Sequence, residues 1–314
     1  MQNYINNQHK YYNLDFYLKS RFKTKVFKVA LNGNFSCPNR DGKISNKGCI
    51  FCSPEGGGDF GGHRNDSLKK QFSDVATVIH QKWPTAAYIA YFQANTNTYG
   101  SLEKLKQLYE EAISLDDSIV AISIATRPDC LSDEILDYLA DLNRRIPVWI
   151  ELGLQTIDEG VAVFINRGYK LPVFAQTVKN LNRRGIEVIV HIINGLPGET
   201  KAMMLNNISY LNQQNIQGIK IHSLFILEKT ILGEIYRNNP FKILSLLEYV
   251  DIVCDQLALL RDDIVIHRIT GDAPKSLLIE PLWSLNKRGV INAIDKEMAQ
   301  RNYYQGLKAK RISL

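Results

Sequence analysis

Three of the chain's five cysteines lie within sixteen residues and could bind a metal ion or an iron–sulfur cluster. Cys37, Cys49 and Cys52 follow the pattern C-x11-C-x2-C. The Asn, Asp and Gly residues between the first two are typical of turns, so this insert can fold the first thiol back onto the others. A structural zinc ion needs four ligands, and His63 and Cys130 are candidates for the fourth. A cluster held by three thiolates instead leaves one iron open for another ligand.

Polar residues near the ends of apolar segments form a second group of candidates. Thr126 and Gln155 end two such segments, His191 lies in a third, and Gly195 opens the sequence GLPGE directly after it. A glycine-rich turn after a buried strand can bring its backbone close to a nucleoside, although it could equally be an ordinary turn. Gln155 could instead satisfy buried polar groups, and Arg167 could be a solvated cation at a helix end.

The elements that position these residues follow from an alternation of apolar and amphipathic segments. Six short segments are rich in Val, Ile, Tyr and Phe, as strands buried on both faces are. These strand candidates are residues 25–31, 86–92, 119–126, 148–155, 187–194 and 219–226. Amphipathic helix candidates between them are residues 102–114, 133–142, 173–184 and 201–213. The repeat predicts an α/β fold with a parallel sheet that curls toward a barrel, although a doubly wound sheet has the same rhythm.

The alternation stops after residue 226. A long helix over residues 242–261, a strand over 264–269 and a basic, mostly helical tail are predicted there. The sequence therefore predicts three parts: a basic N-terminal extension (residues 1–24), the barrel (25–235) and a C-terminal extension with a basic tail (236–314).

The composition is that of a globular protein. The chain has 314 residues, 45% of them hydrophobic and 22% charged, which excludes a disordered, collagenous or coiled-coil chain. The longest uncharged stretch, residues 83–102, contains Pro84, Gln93 and Asn95, so it predicts a buried strand and a polar loop and no membrane span. Few cysteines and an N-terminus without a basic and apolar leader predict a cytoplasmic protein with reduced thiols.

Positive charge is concentrated at the two ends of the sequence. Residues 1–31 and residues 284–314 each carry +5, and the body between them carries −4. Both ends also contain tyrosines: Tyr4, Tyr11, Tyr12 and Tyr17, and Tyr303 and Tyr304. Cationic side chains with interleaved aromatic rings suit the phosphates and unstacked bases of RNA. Charged ends also keep proteins in solution, so charge alone leaves both explanations open.

The cysteine motif resembles that of the radical S-adenosylmethionine (SAM) superfamily. There, three cysteines hold a [4Fe-4S] cluster whose open iron binds the methionine end of SAM. The resemblance implies that Cys37, Cys49 and Cys52 are the cluster ligands and that Phe51 packs on the adenine. It also implies an enzyme that generates a 5′-deoxyadenosyl radical with an external electron donor such as flavodoxin or ferredoxin. The eleven-residue insert departs from the superfamily's usual C-x3-C-x2-C spacing.

Further motifs resemble the branch that contains coproporphyrinogen dehydrogenase and the elongator catalytic subunit. They are ELGLQT, INRGY, GIEVIVHIINGLPGET and IKIHSLFILEKT, within residues 151–230. This resemblance implies a partial (β/α)6 barrel of radical SAM type, followed by a C-terminal extension of helices and a strand. Gln155 and Arg167 match positions that contact SAM in that branch. Thr126 is expected at the ribose, and His191 stands where coproporphyrinogen dehydrogenase has aspartate. We expect the turn at Gly195 to approach the nucleoside.

One motif of the branch is replaced by a different sequence, and this replacement points to a narrower family within the branch. QANTNTY, residues 93–99, stands where a glycine-rich turn usually ends the second strand. With the cysteine insert and the basic tail, it resembles the bacterial YhcC/YtqA-type family, over nearly the whole chain. That family is connected to maturation of the wobble uridine side chain of tRNA.

The narrower resemblance implies a partner and a reaction. It implies tRNA as substrate and the conversion of carboxymethylaminomethyl-uridine to aminomethyl-uridine. The alternatives are a radical SAM enzyme acting on a small molecule such as a porphyrin precursor, and a zinc-stabilised RNA-binding module without catalysis.

Overall fold

The structure, a computed structural model, describes residues 9–309 and is built on a parallel sheet of seven strands that curls into a half-barrel. The sheet order is β1-β2-β3-β4-β5-β6-β8, and β7 and β9 form a separate antiparallel pair. In chain order the strands are β1 (Val26–Leu31), β2 (Ala87–Phe92), β3 (Ile119–Thr126), β4 (Val148–Gln155), β5 (Glu187–Asn194), β6 (Gly218–Ser223), β7 (Ile226–Leu227), β8 (Val265–Arg268) and β9 (Leu278–Glu280). The predicted α/β half-barrel is confirmed.

Helices cover the outside of the sheet. They are α1 (Leu14–Phe22), α2 (Leu68–Lys82), α3 (Leu102–Ile113), α4 (Asp133–Asn143), α5 (Glu159–Phe164), α6 (Leu171–Arg183), α7 (Lys201–Leu211), α8 (Ile231–Asn238), α9 (Leu246–Leu259) and α10 (Lys287–Gln300). Serine side chains accept hydrogen bonds from the first turns of α2, α3, α4 and α9. These caps satisfy amide groups that have no partner within the helix, and so determine where each helix begins.

The structure corrects several predicted boundaries. β6 ends at Ser223, because the apolar run that was predicted as one strand continues into β7, in the other sheet. The long helix begins at Leu246, because Ser245 and Glu248 form a capping box there. Helix α2 was not predicted, and α1 lies in the segment that was predicted only as a basic extension.

Side chains inside the barrel form layers, because alternate residues of a strand face the same side. The layer at the amino ends of the strands is apolar and includes Ile89, Trp149 and Ile189. Leu18 of α1 packs against this layer and closes that end of the barrel. The next layer is charged and polar, and contains Lys28, Tyr91, Ser123, Glu151, His191 and Lys220. Within residues 9–309, the large cavity of the barrel therefore opens toward the carboxyl ends of its strands.

The C-terminal segment completes the sheet. β8 pairs in parallel with β6, and α9 packs against α7 and α10. The divisions at residues 24/25 and 235/236 stay predictions, although one strand of the barrel lies beyond the second of them. Between residues 9 and 309, no helix has the length and apolarity that a bilayer crossing needs.

Candidate active site

A cavity of about 860 Å³ opens at the carboxyl ends of the barrel strands. Parallel sheets bind their ligands at this end, where the loops that follow the strands converge. The predicted site residues that line the cavity are Cys37, Cys49, Phe51, Cys52, Thr126, Gln155, Arg167 and His191. The cysteines follow β1 and Arg268 ends β8, so the two edges of the sheet face each other across the cavity.

The insert between Cys37 and Cys49 folds back on itself, as predicted. The amide groups of Arg40 and Asp41 donate to the Cys37 carbonyl at 2.8 and 3.1 Å. A second turn follows, in which the Cys52 amide donates to the Cys49 carbonyl at 3.0 Å. These turns bring the three thiols to one side of the cavity.

The insert is anchored to the turn after α5. The buried Asn39 side chain donates to the Asn166 carbonyl at 2.6 Å and lies 3.6 Å from the Cys49 sulfur. Asn166 in turn donates from its side chain to the Gly48 carbonyl at 2.6 Å. Gly168 has φ +80°, and a Cβ atom there would lie 2.9 Å from the Asn39 side chain, so only glycine fits. The cysteine segment is thereby held against the chain that follows β4.

Burial keeps the thiols of Cys49 and Cys52 protonated in the absence of a metal. It raises the pKa of Cys49, and it raises the pKa of Cys52 to about 12, against the opposing charges of Arg127 and Arg40. A bound metal removes these protons because thiolate is the ligand form. The site therefore needs a strongly thiophilic group to become charged.

The donor set fits a three-thiolate iron–sulfur cluster. Among the described residues, no three His, Cys, Asp or Glu side chains are grouped as ligands of a single metal ion. The thiolates of a cluster each bind a different iron, and a three-cysteine cluster needs no fourth protein ligand. Of the two candidates for a fourth ligand, His63 does not line the cavity, and the thiol of Cys130 lies 3.8 Å from a carboxylate oxygen of Asp129.

The end of β4 turns Gln155 toward the cavity. Its φ is +67°, unusual for a residue with a side chain, and the pairing with β5 shifts by one residue here. Such strained positions in parallel strands cluster at functional sites. Thr126 also lines the cavity, and its hydroxyl is 2.6 Å from that of Thr98. Phe51 packs against a second apolar cluster while it lines the cavity.

Arg167 is fully buried, with 1% of its surface exposed, so the alternative of a solvated cation is wrong. Its guanidinium donates to the carbonyls of Leu154, Thr156 and Tyr169 at 3.2, 2.6 and 3.0 Å. It therefore joins the end of β4 to the turn that anchors the cysteine insert. A direct contact of Arg167 with SAM stays a prediction.

Gly195 is the one predicted site residue that the structure does not bring to the cavity. It has φ +87°, and a Cβ atom there would lie 2.9 Å from Leu244. Its amide group contacts the Met204 sulfur at 3.2 Å. Packing alone explains this glycine, and its contact with the nucleoside stays a prediction.

The charged layer of the barrel forms the floor of the cavity around Glu151. This carboxylate is 1% exposed and forms ion pairs with Lys28 and Lys220. His191 Nε2 lies 2.7 Å from the same carboxylate, and the Ser123 hydroxyl donates to it at 2.7 Å. Charges at this depth persist only when they are paired and hydrogen-bonded.

Burial and mutual charge set the protonation of this layer. Burial by itself raises the pKa of Glu151, but the charges of Lys220 and Lys28 hold it well below its usual range. Burial lowers the pKa of His191 to about 4 and that of Lys220 to about 7. At neutral pH Glu151 is therefore ionised, His191 is neutral and Lys220 can gain or lose a proton.

The sequence prediction missed the role of this layer, although a signal for it exists. Lys28, Glu151 and Lys220 each interrupt an otherwise apolar strand, in VFKVAL, VWIELGLQ and GIKIHS. Isolated charges of opposite sign within neighbouring buried strands have to find one another. That pattern predicts an ion-pair layer.

The fold and the site define the class of the protein. A parallel half-barrel that presents three thiols at the mouth of a cavity is suited to an enzyme that activates a ligand on the open iron of a cluster. Residues 42–211 match the Radical SAM superfamily, and residues 216–300 match the Radical_SAM C-terminal domain. The chain belongs to the radical SAM superfamily, so its cofactors are a [4Fe-4S] cluster and SAM.

Individual relatives confirm the narrower resemblance. YtqA of Bacillus subtilis is 47% identical over 309 residues, which cover 98% of this chain and 96% of YtqA. YhcC of Escherichia coli is 33% identical over 271 residues, 86% of each chain. A tRNA uridine(34) acetyltransferase of Methanocaldococcus jannaschii is 25% identical over 189 residues, 59% of this chain and 34% of that protein. The fold is similar to that of Elp3 from Methanocaldococcus infernus with its N-terminus deleted: TM-score 0.66 and 16% identity, over 89% of this chain and 64% of that one.

Proposed function

We propose that this chain generates a 5′-deoxyadenosyl radical and uses it on the wobble uridine of tRNA, converting carboxymethylaminomethyl-uridine to aminomethyl-uridine. The observation that carries the proposal is a single cavity with three thiols on one side and a charged floor and wall on the other. Its volume of about 860 Å³ lies near the upper end of the roughly 300–1,000 Å³ usual for ligand cavities. That leaves space for SAM and for a nucleoside with its side chain.

The family resemblance and the positions of the predicted site residues together support a role for each of them. Cys37, Cys49 and Cys52 would hold the cluster, with Phe51 against the adenine of SAM. When bound, the cluster and SAM supply a 5′-deoxyadenosyl radical that can take a hydrogen atom from a substrate carbon. An external electron donor such as flavodoxin or ferredoxin would supply the electron.

Further contacts would orient SAM between the two sides of the cavity. Thr126 and Gln155, at neighbouring strand ends, offer a hydroxyl and an amide to its polar groups. His191, neutral at pH 7, offers an uncharged ring beside them. Arg167 would stabilise the β4 end on which Gln155 lies. Walls that exclude water protect a radical from side reactions.

The relatives support tRNA as the substrate class. The acetyltransferase that shares 25% identity with this chain acts, by its name, on uridine 34 of tRNA. Basic groups near the mouth, Lys43 and Lys275, are exposed and can contact phosphates. A tRNA substrate also makes the cytoplasm the expected location.

Besides SAM and its electron donor, the proposed reaction needs only water and an electron acceptor. The side-chain carbon between amine and carboxylate gives up one hydrogen atom to the radical. The carbon radical that remains then gives one electron to an external acceptor, and the amine nitrogen gives one proton to water. Water then cleaves the carbon–nitrogen bond of the resulting imine, which leaves aminomethyl-uridine and releases glyoxylate. The amine and the carboxylate both stabilise the intermediate carbon radical, which favours this position.

Anaerobic reconstitution tests the proposal. We expect a brown protein with about four irons per chain that forms 5′-deoxyadenosine and converts the nucleoside in tRNA from a strain lacking the enzyme, read by liquid chromatography and mass spectrometry. The Cys49→Ala variant should lose iron and both products, whereas Cys254→Ala, at a buried cysteine away from the cavity, should retain them.

Other outcomes would contradict the proposal in distinguishable ways. SAM cleavage that is indifferent to tRNA and stimulated by a porphyrin precursor would assign a small-molecule substrate. A colourless protein with one zinc would remove the radical chemistry altogether. Unchanged wobble uridines in a deletion strain would refute the tRNA reaction.

A further inference from the structure

One side of the cavity floor has more basic groups than acidic groups to pair with them. The Glu151 carboxylate is shared by two lysines, Lys28 and Lys220, so this buried layer has one basic group without an anion of its own. Lys220 is 6% exposed, and its remaining contact is the neutral Tyr91 hydroxyl at 3.0 Å. Its pKa of about 7 reflects this shortage, because burial lowers it and Glu151 compensates only in part. An anion in the cavity would restore the balance.

Two polar side chains on the same strand end lack a partner. His222 Nε2 and the Ser223 hydroxyl oxygen are buried and form no hydrogen bond with any described residue. His222 lies on the same side of β6 as Lys220 and lines the cavity, whereas the alternation along the strand turns the Ser223 side chain to the other side. Buried polar groups of folded proteins are nearly always hydrogen-bonded, so a bound group is expected to satisfy the His222 ring. Burial and the charges of His191 and Arg268 keep the His222 pKa well below its usual range, so its ring is neutral.

Arg268 adds a second cation beside Lys220. The two residues are register partners on β8 and β6, and both line the cavity. Arg268 forms a long ion pair with Asp272, 3.4 Å, and its side chain is 31% exposed. A guanidinium has five donors in a planar fork, and this single ion pair leaves enough of them for a bidentate contact with a carboxylate.

We infer that Lys220, His222 and Arg268, which we name the carboxylate wall, bind a carboxylate group of the substrate. This inference rests on the proposed function, which identifies the group as the carboxymethyl end of the uridine side chain. The wall lies on β6 and β8, across the cavity from the cysteines that follow β1. A side chain held by its carboxylate at this wall would present the neighbouring carbon to the centre of the cavity.

The depth of the wall selects a carboxylate over a phosphate. Lys220 lies in the buried layer of the barrel, below His222 on the same strand. A carboxylate at the end of a flexible side chain can reach this depth. A backbone phosphodiester is bonded to nucleotides on both sides and stays at the mouth of the cavity.

The test compares two tRNAs that differ only in this group. The dissociation constants of the cluster-loaded protein with SAM are measured for tRNA that carries carboxymethylaminomethyl-uridine and for tRNA that carries aminomethyl-uridine. The wild type should bind the first at least about tenfold more tightly, since charge-assisted hydrogen bonds to a buried group are lost with the second. Lys220→Met should reduce this ratio to about one, while the Lys201→Met control, whose lysine pairs with Asp251 and Asp255 outside the cavity, keeps it.

The variant is expected to fold, because Glu151 retains Lys28 and His191 as partners. Iron content and melting temperature check this, and Arg268→Gln, at a partly exposed position, provides a second test of the ratio. A folded Lys220→Met or Arg268→Gln protein that keeps the wild-type ratio would overturn the inference and leave the proposed function intact.

A small probe separates failure of the inference from failure of the proposed function. If the wild type neither converts the tRNA nor distinguishes the two forms, N-methylglycine is added at millimolar concentration and melting temperatures are compared. A rise in the wild type that is absent in Lys220→Met and absent with N-methylethanolamine would support a carboxylate site for another substrate. No rise in the wild type would refute the wall.

Discussion

Arg167 shows how one side chain can support a site without reaching across it. By resemblance, Arg167 matches a position that contacts SAM. In the structure its guanidinium donates three hydrogen bonds to backbone carbonyls near the end of β4 and in the turn after α5. Those carbonyls belong to the segment that sets the Gln155 backbone and to the turn that anchors the cysteine insert. The effect of Arg167 on the cofactors is therefore expected to include their positioning.

Arg167→Lys should weaken both the fold and the retention of the cluster. A lysine ammonium cannot reproduce a planar fork that reaches three carbonyls, so buried acceptors lose their donors. We expect a loss of about 2–4 kcal/mol in the free energy of unfolding and a lower iron content after gel filtration. Urea unfolding of the apoprotein and iron analysis of the loaded protein measure the two effects. Arg183→Lys, on the outer helix α6, serves as the control. Unchanged stability with lost SAM affinity would instead assign Arg167 to direct binding.

At the scale of elements, the sequence predicts strands better than the breaks between them. β3, β4 and β5 begin and end at the predicted residues, because their apolar runs are bounded by polar residues and turns. The break between β6 and β7 lies inside one apolar run, so hydrophobicity carries no signal of it. Residue type and spacing could predict that the three cysteines come together at one site, where the structure has them line one cavity. The carboxylate wall could not be predicted in this way, since β6 and β8 are distant in sequence and meet only in the folded sheet.

The loop between β5 and α7 contains a half-buried acid, Glu199, that makes stability depend on pH. Burial raises the pKa of Glu199 to about 7, and its carboxylate has the Leu196 amide as a donor at 3.3 Å. The folded pKa exceeds the unfolded value, so folding favours the protonated form. The stabilisation is complete at acidic pH, and it is lost as the pH rises through about 7.

Glu199→Gln should therefore remove a pH dependence. The rise of the Glu199 pKa from 4.5 to about 7 corresponds to at most about 3 kcal/mol in the free energy of unfolding. The wild type lacks this stabilisation at pH 8, where the side chain is ionised. The variant should be more stable than the wild type at pH 8 and similar to it at pH 4, below the ordinary pKa of the carboxyl. Urea unfolding at both pH values measures the difference, with Glu111→Gln at an exposed position of α3 as the control. An equal pH dependence in wild type and variant would contradict the assignment.

At the scale of the whole molecule, several described residues of the two basic ends of the sequence are buried or paired with acidic side chains. Tyr11 is 4% exposed, and Tyr17 and Arg21 bond to Glu187 at the closed end of the barrel. These residues are unavailable to stack on bases beside the cavity. The sequence shows the charge of each segment, but the acidic partners come from distant elements and cannot be inferred from it.

Part of the C-terminal charge within the described residues is also paired. Arg301 binds Asp251 and Glu297, and Lys308 binds Asp255. The basic residues that follow α10, in the segment predicted as a tail, thereby neutralise the acidic residues of α9. Tyr4 and residues 310–314 lie outside the described residues, and their predicted contacts with RNA remain untested.

If tRNA binds at the open end, its salt dependence should come from the mouth of the cavity. Lys43 lies over the Tyr99 ring, and Lys275 lines the cavity; both are exposed and can neutralise phosphates. Lys19 is also exposed but lies on α1, at the closed end. The double variant Lys43→Gln, Lys275→Gln should weaken tRNA binding and reduce the slope of log K against log salt by about 1–2, because each lost phosphate contact removes roughly 0.7–0.9. Binding isotherms between 50 and 300 mM salt, a range of about sixfold, measure this slope. The control variant Lys19→Gln should have the same slope as the wild type. If it lowers the slope as much as the double variant does, the RNA lies across the closed end of the barrel. The cavity would then not receive the wobble nucleoside.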